Sequence, residues 1–246
     1  MIPTVSVDQM REVDRLMTEE MQIVLLQMME NAGRTLAEQA RRMLGNDVRG
    51  RRIAVLAGSG GNGGGGMAAA RRLSIWGADV CVILGQEPGK TEGVPQHQLR
   101  ILGRIGVPVG FPGEEKSGEA LASAELVLDA LIGYSLRGAP REPIASLIRT
   151  SNTSGTPCLA LDIPSGLDGD SGEAYEPTIR ATATLTLALP KAGLLRPTAG
   201  SWVGDLYVAD ISVPDVVYRR LGLNVGPIFG RSDIIKVEPA DPAVDD

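Results

Sequence analysis

The chain has 246 residues, 43% apolar and 22% charged, enough to bury the core of one large domain. A net charge of -6 and only 3% aromatic residues argue against a nucleic-acid partner, which needs basic surface and stacking platforms. No apolar run reaches membrane-span length and Met1–Arg15 lacks an apolar signal core, so no membrane association and a cytoplasmic setting are expected.

Ser6 is placed to cap a helix through Met17, with Met10, Val13 and Met17 on one apolar face. A second helix is expected near Ile23 to Met43, its stripe formed by Leu25, Leu26, Met28, Met29, Ala32, Leu36 and Ala40. Glu30 and Asn31 interrupt that stripe and are expected to face water, and Gly45 and Asn46 end the helix. The first strand follows at Arg52–Ala57. Beyond it, glycine occupies seven of the nine positions from Gly58 to Gly66. With a helix expected to begin near Met67, those glycines read as a loop whose amides gather at a helix N-terminus. Such a loop is a phosphate cradle whose backbone is free to take positive φ.

Further on, short apolar runs alternate with helical patterns. Helices are expected at Met67–Trp76, Pro95–Ile105, Glu119–Ala122 and near Glu142 to Arg149. Strands are expected at Asp79–Leu84, Val107–Phe111, Leu126–Asp129 and Cys158–Asp162. Two later runs, Ala183–Leu189 and Leu206–Ile211, read as strands joined without a full helix, so a mixed edge is expected there. This is a doubly wound α/β pattern with a mainly parallel sheet covered on both faces. It forms one domain over residues 1–237, followed by an acidic, proline-rich tail, 238–246, expected to be disordered. Cys81 and Cys158 lie inside apolar runs without metal-site spacing and read as buried free thiols.

Ligands of such sheets bind outside the carboxyl ends of the strands, where this chain concentrates its acids and glycines. Asp129 and Asp162 each end a strand, and each can merely cap a nearby helix. Alternatively, Asn62, Asp129 and Ser165 offer oxygens to a hard cation, completed by carbonyls of the turn at 133–139. One formal negative charge favours a monovalent ion. Asp162 is suited to general acid or base work. Arg137 and Arg141 flank the second glycine turn and are either solvated or paired with a ligand phosphate. His97 reads as a surface residue, and Lys191, after the strand that ends at Leu189, either approaches the site or is a turn lysine, the expected reading. Gly58, Gly60 and Gly63 satisfy a dinucleotide fingerprint, but the glycine run is too long and no clear acid ends the second strand, which counts against a dehydrogenase.

Met29-Glu30-Asn31-Ala32-Gly33, the glycine stretch, Asp129 to Ser135, Asp162 to Gly172 and Pro190 to Leu194 occur in an order that resembles the YjeF N-terminal domain family. The similarity extends from Met10 to Pro214. It implies a Rossmann-like three-layer αβα sandwich with a mainly parallel central sheet. It also implies an NAD(P)H-hydrate epimerase, an isomerase of cofactor repair that interconverts R and S hydrates at C6 of the reduced nicotinamide ring. Carried over by motif, Asn62, Asp129 and Ser165 match potassium ligands. Gly61, Asn62, Gly63, Gly64 and Gly65, with Gly133, Tyr134, Ser135, Leu136, Arg137, Gly138 and Ala139, match the substrate loops. Asp162 matches a substrate-contacting, catalytic acid. A separate dehydratase acting on the S hydrate and a homodimer through the first two helices are implied as partners. The family loop usually reads GxGNNGGDG, so Gly61 replaces an asparagine and Gly65 an aspartate, removing an amide and a carboxylate expected beside the ligand. Those two replacements support a second reading, a catalytically altered nucleotide-ligand binding or scaffold module of the same fold.

Overall fold

The computed structural model describes residues 2–237, and the acidic tail 238–246 lies outside them. Among the described residues the short apolar runs form eight strands. These are β1 (Arg52–Ala57), β2 (Asp79–Leu84), β3 (Val109–Gly110), β4 (Leu126–Ala130), β5 (Cys158–Leu161), β6 (Ala183–Leu187), β7 (Asp205–Ala209) and β8 (Ile234–Lys236). They build one sheet in the order β3-β2-β1-β4-β5-β6-β7-β8. It is parallel from β3 to β7, and β8 alone is antiparallel, on β7.

Helices α1 (Val7–Arg15), α2 (Leu25–Met43), α3 (Gly61–Ile75), α4 (Gly93–Ile105), α5 (Glu115–Ser123), α6 (Ile144–Ser154), α7 (Gly200–Val203) and α8 (Asp215–Arg220) surround the sheet. Strand periodicity assigns the layers. Ile53, Val55 and Ala57 of β1 pack with Leu36 of α2, Met67 and Leu73 of α3 and Leu102 of α4. The alternate residues Ala54 and Leu56 pack with Leu121 of α5 and Leu147 and Ile148 of α6. Both faces are covered, which gives the expected αβα sandwich. The mixed edge lies one strand further out than the sequence suggests. β6 and β7 are parallel, and their connection is long enough for a crossover although it contains only short 3-10 turns and α7. β8 and α8 are too short for a pattern-based reading to register.

Ser6 does cap α1: its Oγ accepts the Gln9 amide at 3.1 Å and Gln9 Oε1 accepts the Ser6 amide at 2.8 Å. Reciprocal capping of this kind contributes about 1 kcal/mol. Asp170 Oδ1 accepts the Val7 amide at 2.7 Å, tying α1 to the segment after β5. The helix ends at Arg15 and continues as a π-helical turn, Leu16–Glu20, which carries Met17 into the core.

Glu30 and Asn31 of α2 depart from the expected water-facing arrangement. Glu30 accepts hydrogen bonds at 2.8 Å from Arg71 of α3 and from Gln98 of α4, linking three helices. Burial opposes its ionisation, but these bonds outweigh it and hold the carboxyl below its usual range. Asn31 Nδ2 donates to Ser212 Oγ at 3.1 Å. Spacing along one helix cannot register a neighbour that supplies polar partners. The apolar faces of α1 and α2 are largely used inside the chain, leaving Val24 at 52% and Leu25 at 40% exposure as the large apolar residues still facing out there. No helix among the described residues is long and apolar enough to cross a membrane.

Candidate active site

The glycine stretch is not a loop ahead of a helix. α3 begins at Gly61, so four further glycines lie within its first two turns, and none from Gly58 to Gly66 takes positive φ. Close approach explains their number. A Cβ at Gly63 would sit 1.8 Å from the Gly58 carbonyl oxygen, and one at Gly66 would sit 2.6 Å from Ala130 Cβ. At Gly64 it would lie 2.5 Å from Met29 Sδ of α2. Gly33 completes the seam from the other side, with 2.8 Å left to the Gly65 oxygen. The glycines therefore let α3 lie flush on α2 and on the ends of β1 and β4. Phosphate-binding potential survives in another form: the first amides of a helix lack intrahelical acceptors, and Gly61 and Asn62 line a cavity of about 680 Å³.

That cavity sits at the carboxyl ends of β4, β5 and β6. It gathers Asn62, Gly133, Tyr134, Ser135 and Asp162 from the expected set, together with Asp14 and Lys191. Gly63, Gly64 and Gly65 are buried in the helix seam behind it. Leu136, Arg137 and Ala139 line a smaller neighbouring pocket of about 420 Å³, and Gly138, at φ +72°, is exposed at the turn. The two departures from the family loop thus differ in kind. Gly61 borders the cavity with no atom nearer to an added Cβ than Met29 Cε at 3.9 Å. Gly65 instead packs against Leu161 Cδ2 and Ala32 Cβ, at 3.0 and 3.5 Å from such an atom. The second missing side chain therefore falls in the helix seam and not on the cavity wall.

Asp129 and Ser165 are fully buried and bonded to each other. Asp129 Oδ1 accepts from Ser165 Oγ at 2.7 Å, and Oδ2 accepts from the Ser165 amide at 2.8 Å. Ser165 Oγ in turn accepts the Ile132 amide at 2.8 Å and lies 3.2 Å from the Ile132 oxygen. This cluster fastens the end of β4 to the segment after β5. Burial raises the Asp129 carboxyl from 3.8 to about 6, only partly offset by the Ser165 and Leu131 hydrogen bonds. Asn62 Nδ2 donates to the Leu161 oxygen at 3.0 Å, which orients its amide beside the same strand ends.

Asp162 follows β5 directly, at φ +69°, a conformation that costs a non-glycine residue energy and recurs where a side chain must be aimed. Its amide donates to Leu185 of β6 at 2.8 Å. Oδ1 accepts from Lys191 Nζ in a short ion pair, with Thr186 Oγ1 and the Leu187 amide at 3.4 and 3.3 Å. Oδ2 has no donor among the described residues and lies 3.4 Å from where a Gly133 Cβ would be, as does Asn62 Cγ. Asn62, Gly133 and Asp162 therefore converge. Lys191, expected in a turn, is instead wholly buried, and its Nζ also donates to the Leu187 oxygen at 3.0 Å. Backbone bonding between Val5 and the Pro190–Ala192 segment pins it there. The available signal was its position just beyond the end of β6, where strand-end residues converge.

Asp14 is a residue the sequence reading missed. It follows Met10 by one helical turn on α1 and lies at the edge of the apolar face, partly buried and lining the cavity. The Tyr134 hydroxyl donates to Asp14 Oδ2, joining the 133–139 turn to α1. Burial raises the Asp14 carboxyl above its usual range against the Tyr134 bond, and burial with the neighbouring Asp14 charge raises the Tyr134 phenol. His97 is exposed on α4, away from the cavity.

Comparison with known proteins adds a second line of observation. Residues 25–193 match the family described as YjeF-related protein N-terminus. The chain is 47% identical over 223 residues to an NAD(P)H-hydrate epimerase of Dehalogenimonas lykanthroporepellens, covering 90% of this chain and 87% of that protein. It is 32% identical to an NAD(P)H-hydrate epimerase of Rhodopirellula baltica, covering 90% and 89%. A bifunctional NAD(P)H-hydrate repair enzyme Nnr of Moorella thermoacetica is 37% identical over 85% of this chain, which spans 40% of that longer protein. The crystal structure of yeast ynu0 is similar with a TM-score of 0.82 at 25% identity, covering 96% of this chain and 100% of the yeast chain.

Proposed function

The chain belongs to the YjeF-related N-terminal family, and from that premise we propose that it is an NAD(P)H-hydrate epimerase interconverting the R and S hydrates of NADH and NADPH. The observation that carries the proposal is the buried Asp162–Lys191 pair, with Asp162 Oδ2 left without a donor among the described residues, beside Gly133. One carboxylate oxygen is fixed by protein, and the other is free to serve a ligand in the cavity. In the proposed reaction a proton from Asp162 goes to the C6 hydroxyl, which leaves as water while the ring nitrogen lone pair closes a carbon–nitrogen double bond. Water then adds to either face of the planar ring and returns its proton to Asp162, so acid and base roles alternate on one group. Lys191 balances the carboxylate in its ionised state. Amides at the start of α3 hold the pyrophosphate.

Potassium belongs to the same proposal. The donor set suits a hard monovalent ion, because Asp129 carries a buried charge with only neutral hydrogen-bond donors, Ser165 and Leu131, beside it. Asn62, Asp129 and Ser165 would hold the cation, which would supply a balancing charge and tie the α3 start, the β4 end and the segment after β5 together. The S hydrate then passes to a dehydratase. A reducing, cytoplasmic setting fits the free thiols of Cys81 and Cys158.

The test follows R to S interconversion of hydrated NADH and NADPH with potassium present. Wild type should exceed background, and Asp162→Asn should lose at least about 100-fold in rate. Wild-type rates equal to background for both cofactors would overturn the proposal.

A further inference from the structure

The smaller pocket has no role in the chemistry above. It opens beside the main cavity and shares Ile132, Ser135 and Ile144 with it. Its walls come from Gly85, Gln86 and Lys90, just past the end of β2, and from the segment after β4. The two segments touch, since a Cβ on Gly85 would lie 2.8 Å from Ile144 Cγ1.

Charge there opposes the chain's net -6. Lys90, Arg137 and Arg141 line the pocket, and neither arginine has a carboxylate at ion-pair distance among the described residues. The Lys90–Glu87 contact is 3.9 Å long between side chains 69% and 79% exposed, which is a weak interaction. Glu142, the acid in the lining, is engaged by Arg149 at 2.8 Å and by the Ser146 amide at 3.0 Å. Gln86 Nε2 is buried with no acceptor. Among the described residues, three cations and one orphaned donor thus surround a space whose one lining carboxylate, Glu142, is already bonded.

Strand order supplies the ligand. In sheets that run 3-2-1-4-5-6, a dinucleotide lies across the carboxyl edge, with the helix after β1 at its pyrophosphate. The end of β2 then meets the adenosine ribose, where an acid binds free hydroxyls and a cationic group accommodates a 2′-phosphate. Here β2 and β6 are four strand spacings apart, about 19 Å. A dinucleotide whose reacting ring lies at Asp162 and Lys191 therefore carries its 2′ position towards Gln86 and Lys90.

We infer that this pocket is a subsite for the adenosine 2′-phosphate, formed by Gln86, Lys90, Arg137 and Arg141, which makes hydrated NADPH the preferred substrate; the inference rests on the epimerase reading. The test measures kcat/KM on both hydrates for wild type and for the double variant Lys90→Gln/Arg141→Gln, with folding checked by circular dichroism. Wild type should favour hydrated NADPH by about tenfold, the effect of one charge-assisted contact. In the variant that ratio should fall towards one through KM, with kcat on hydrated NADPH within about twofold. Equal wild-type kcat/KM for the two hydrates, or an unchanged ratio in the folded variant, overturns the subsite. If neither hydrate is turned over, the epimerase reading falls instead. Calorimetry with ADP-ribose and its 2′-phosphate then decides the subsite separately: tighter binding of the phosphate, lost in the variant, supports it, and equal affinities overturn it.

Discussion

Lys191→Met tests the central pair through stability, independently of any substrate. Lys191 is 0% exposed and the Asp162 side chain 5%, so the ammonium cannot be rehydrated without moving backbone and the carboxylate meets water only through Oδ2 at the cavity wall. Methionine matches the length of the lysine stem and deletes its charge. Among the described residues the carboxylate would then keep only Thr186 Oγ1 at 3.4 Å and the Leu187 amide at 3.3 Å, while the Leu187 oxygen would lose one of its two donors and keep the Leu189 amide at 2.8 Å. Removing one member of a buried pair costs about 3–5 kcal/mol, because the surviving charge stays buried and uncompensated. At about 2–4 °C per kcal/mol for a domain of this size, Tm should fall by roughly 6–20 °C. Urea unfolding at neutral pH followed by circular dichroism measures the loss directly. Asp162→Asn should be comparably damaging, since it strands the ammonium. The double variant Asp162→Asn/Lys191→Met buries no charge and should cost less than the sum of the two. A Lys191→Met loss below about 1 kcal/mol, or strict additivity in the double variant, would show that the pair is solvated and refute the reasoning.

Burial that raises Asp129 from 3.8 to about 6 corresponds to about 3 kcal/mol of linkage. The folded state holds this proton more tightly, so the stabilisation is full below 3.8 and is lost as pH climbs through about 6. In potassium-free buffer, wild type should therefore lose up to about 3 kcal/mol relative to Asp129→Asn as pH rises from about 4 to 7. Parallel pH courses in urea titrations would contradict this. Adding potassium at neutral pH should restore stability to wild type and not to Asp129→Asn, and equal shifts in Tm would remove the cation from the proposal. Tyr134→Phe deletes the donor to part-buried Asp14; a loss of about 1–3 kcal/mol and a raised KM are expected, and unchanged values for both would detach the 133–139 turn from α1. Gly63→Ala, aimed at a backbone oxygen 1.8 Å away, should cost more than about 4 kcal/mol or prevent folding. Gly61→Ala meets only Met29 Cε, at an ordinary contact distance of 3.9 Å, and should stabilise α3 by up to about 1 kcal/mol. Similar Tm values for the two variants would contradict the seam.

Fold class and the edge of the sheet that carries the site were legible without coordinates, because period-two and period-3.6 burial are local consequences of backbone geometry. β1 and β2 fall where the pattern puts them, and Asp162 stands at a strand end as expected. The start of α3 was misread for a local reason as well: glycine is a poor helix former, so a run of it reads as loop. What offsets that propensity is contact with α2, β1 and β4, which no window along the chain contains. Glu30 was misread in the same way, since its partners Arg71 and Gln98 come from two other helices.

The site divides along the same line. Sequence alone determined which strand ends carry acids, and it singled out Asn62, Asp129, Asp162 and Ser165 by motif. Tertiary structure decided how they are grouped, with Asp129 bonded to Ser165 behind the cavity and Asp162 bonded to Lys191 at its wall. It also brought Asp14 to the cavity from a helix that precedes the whole sheet, and separated Gly61, at the cavity wall, from Gly65, in the seam. Residue type states what a side chain can do in water. Whether a lysine is solvated or buried against an aspartate 29 positions away depends on chain crossings, which only the folded packing specifies.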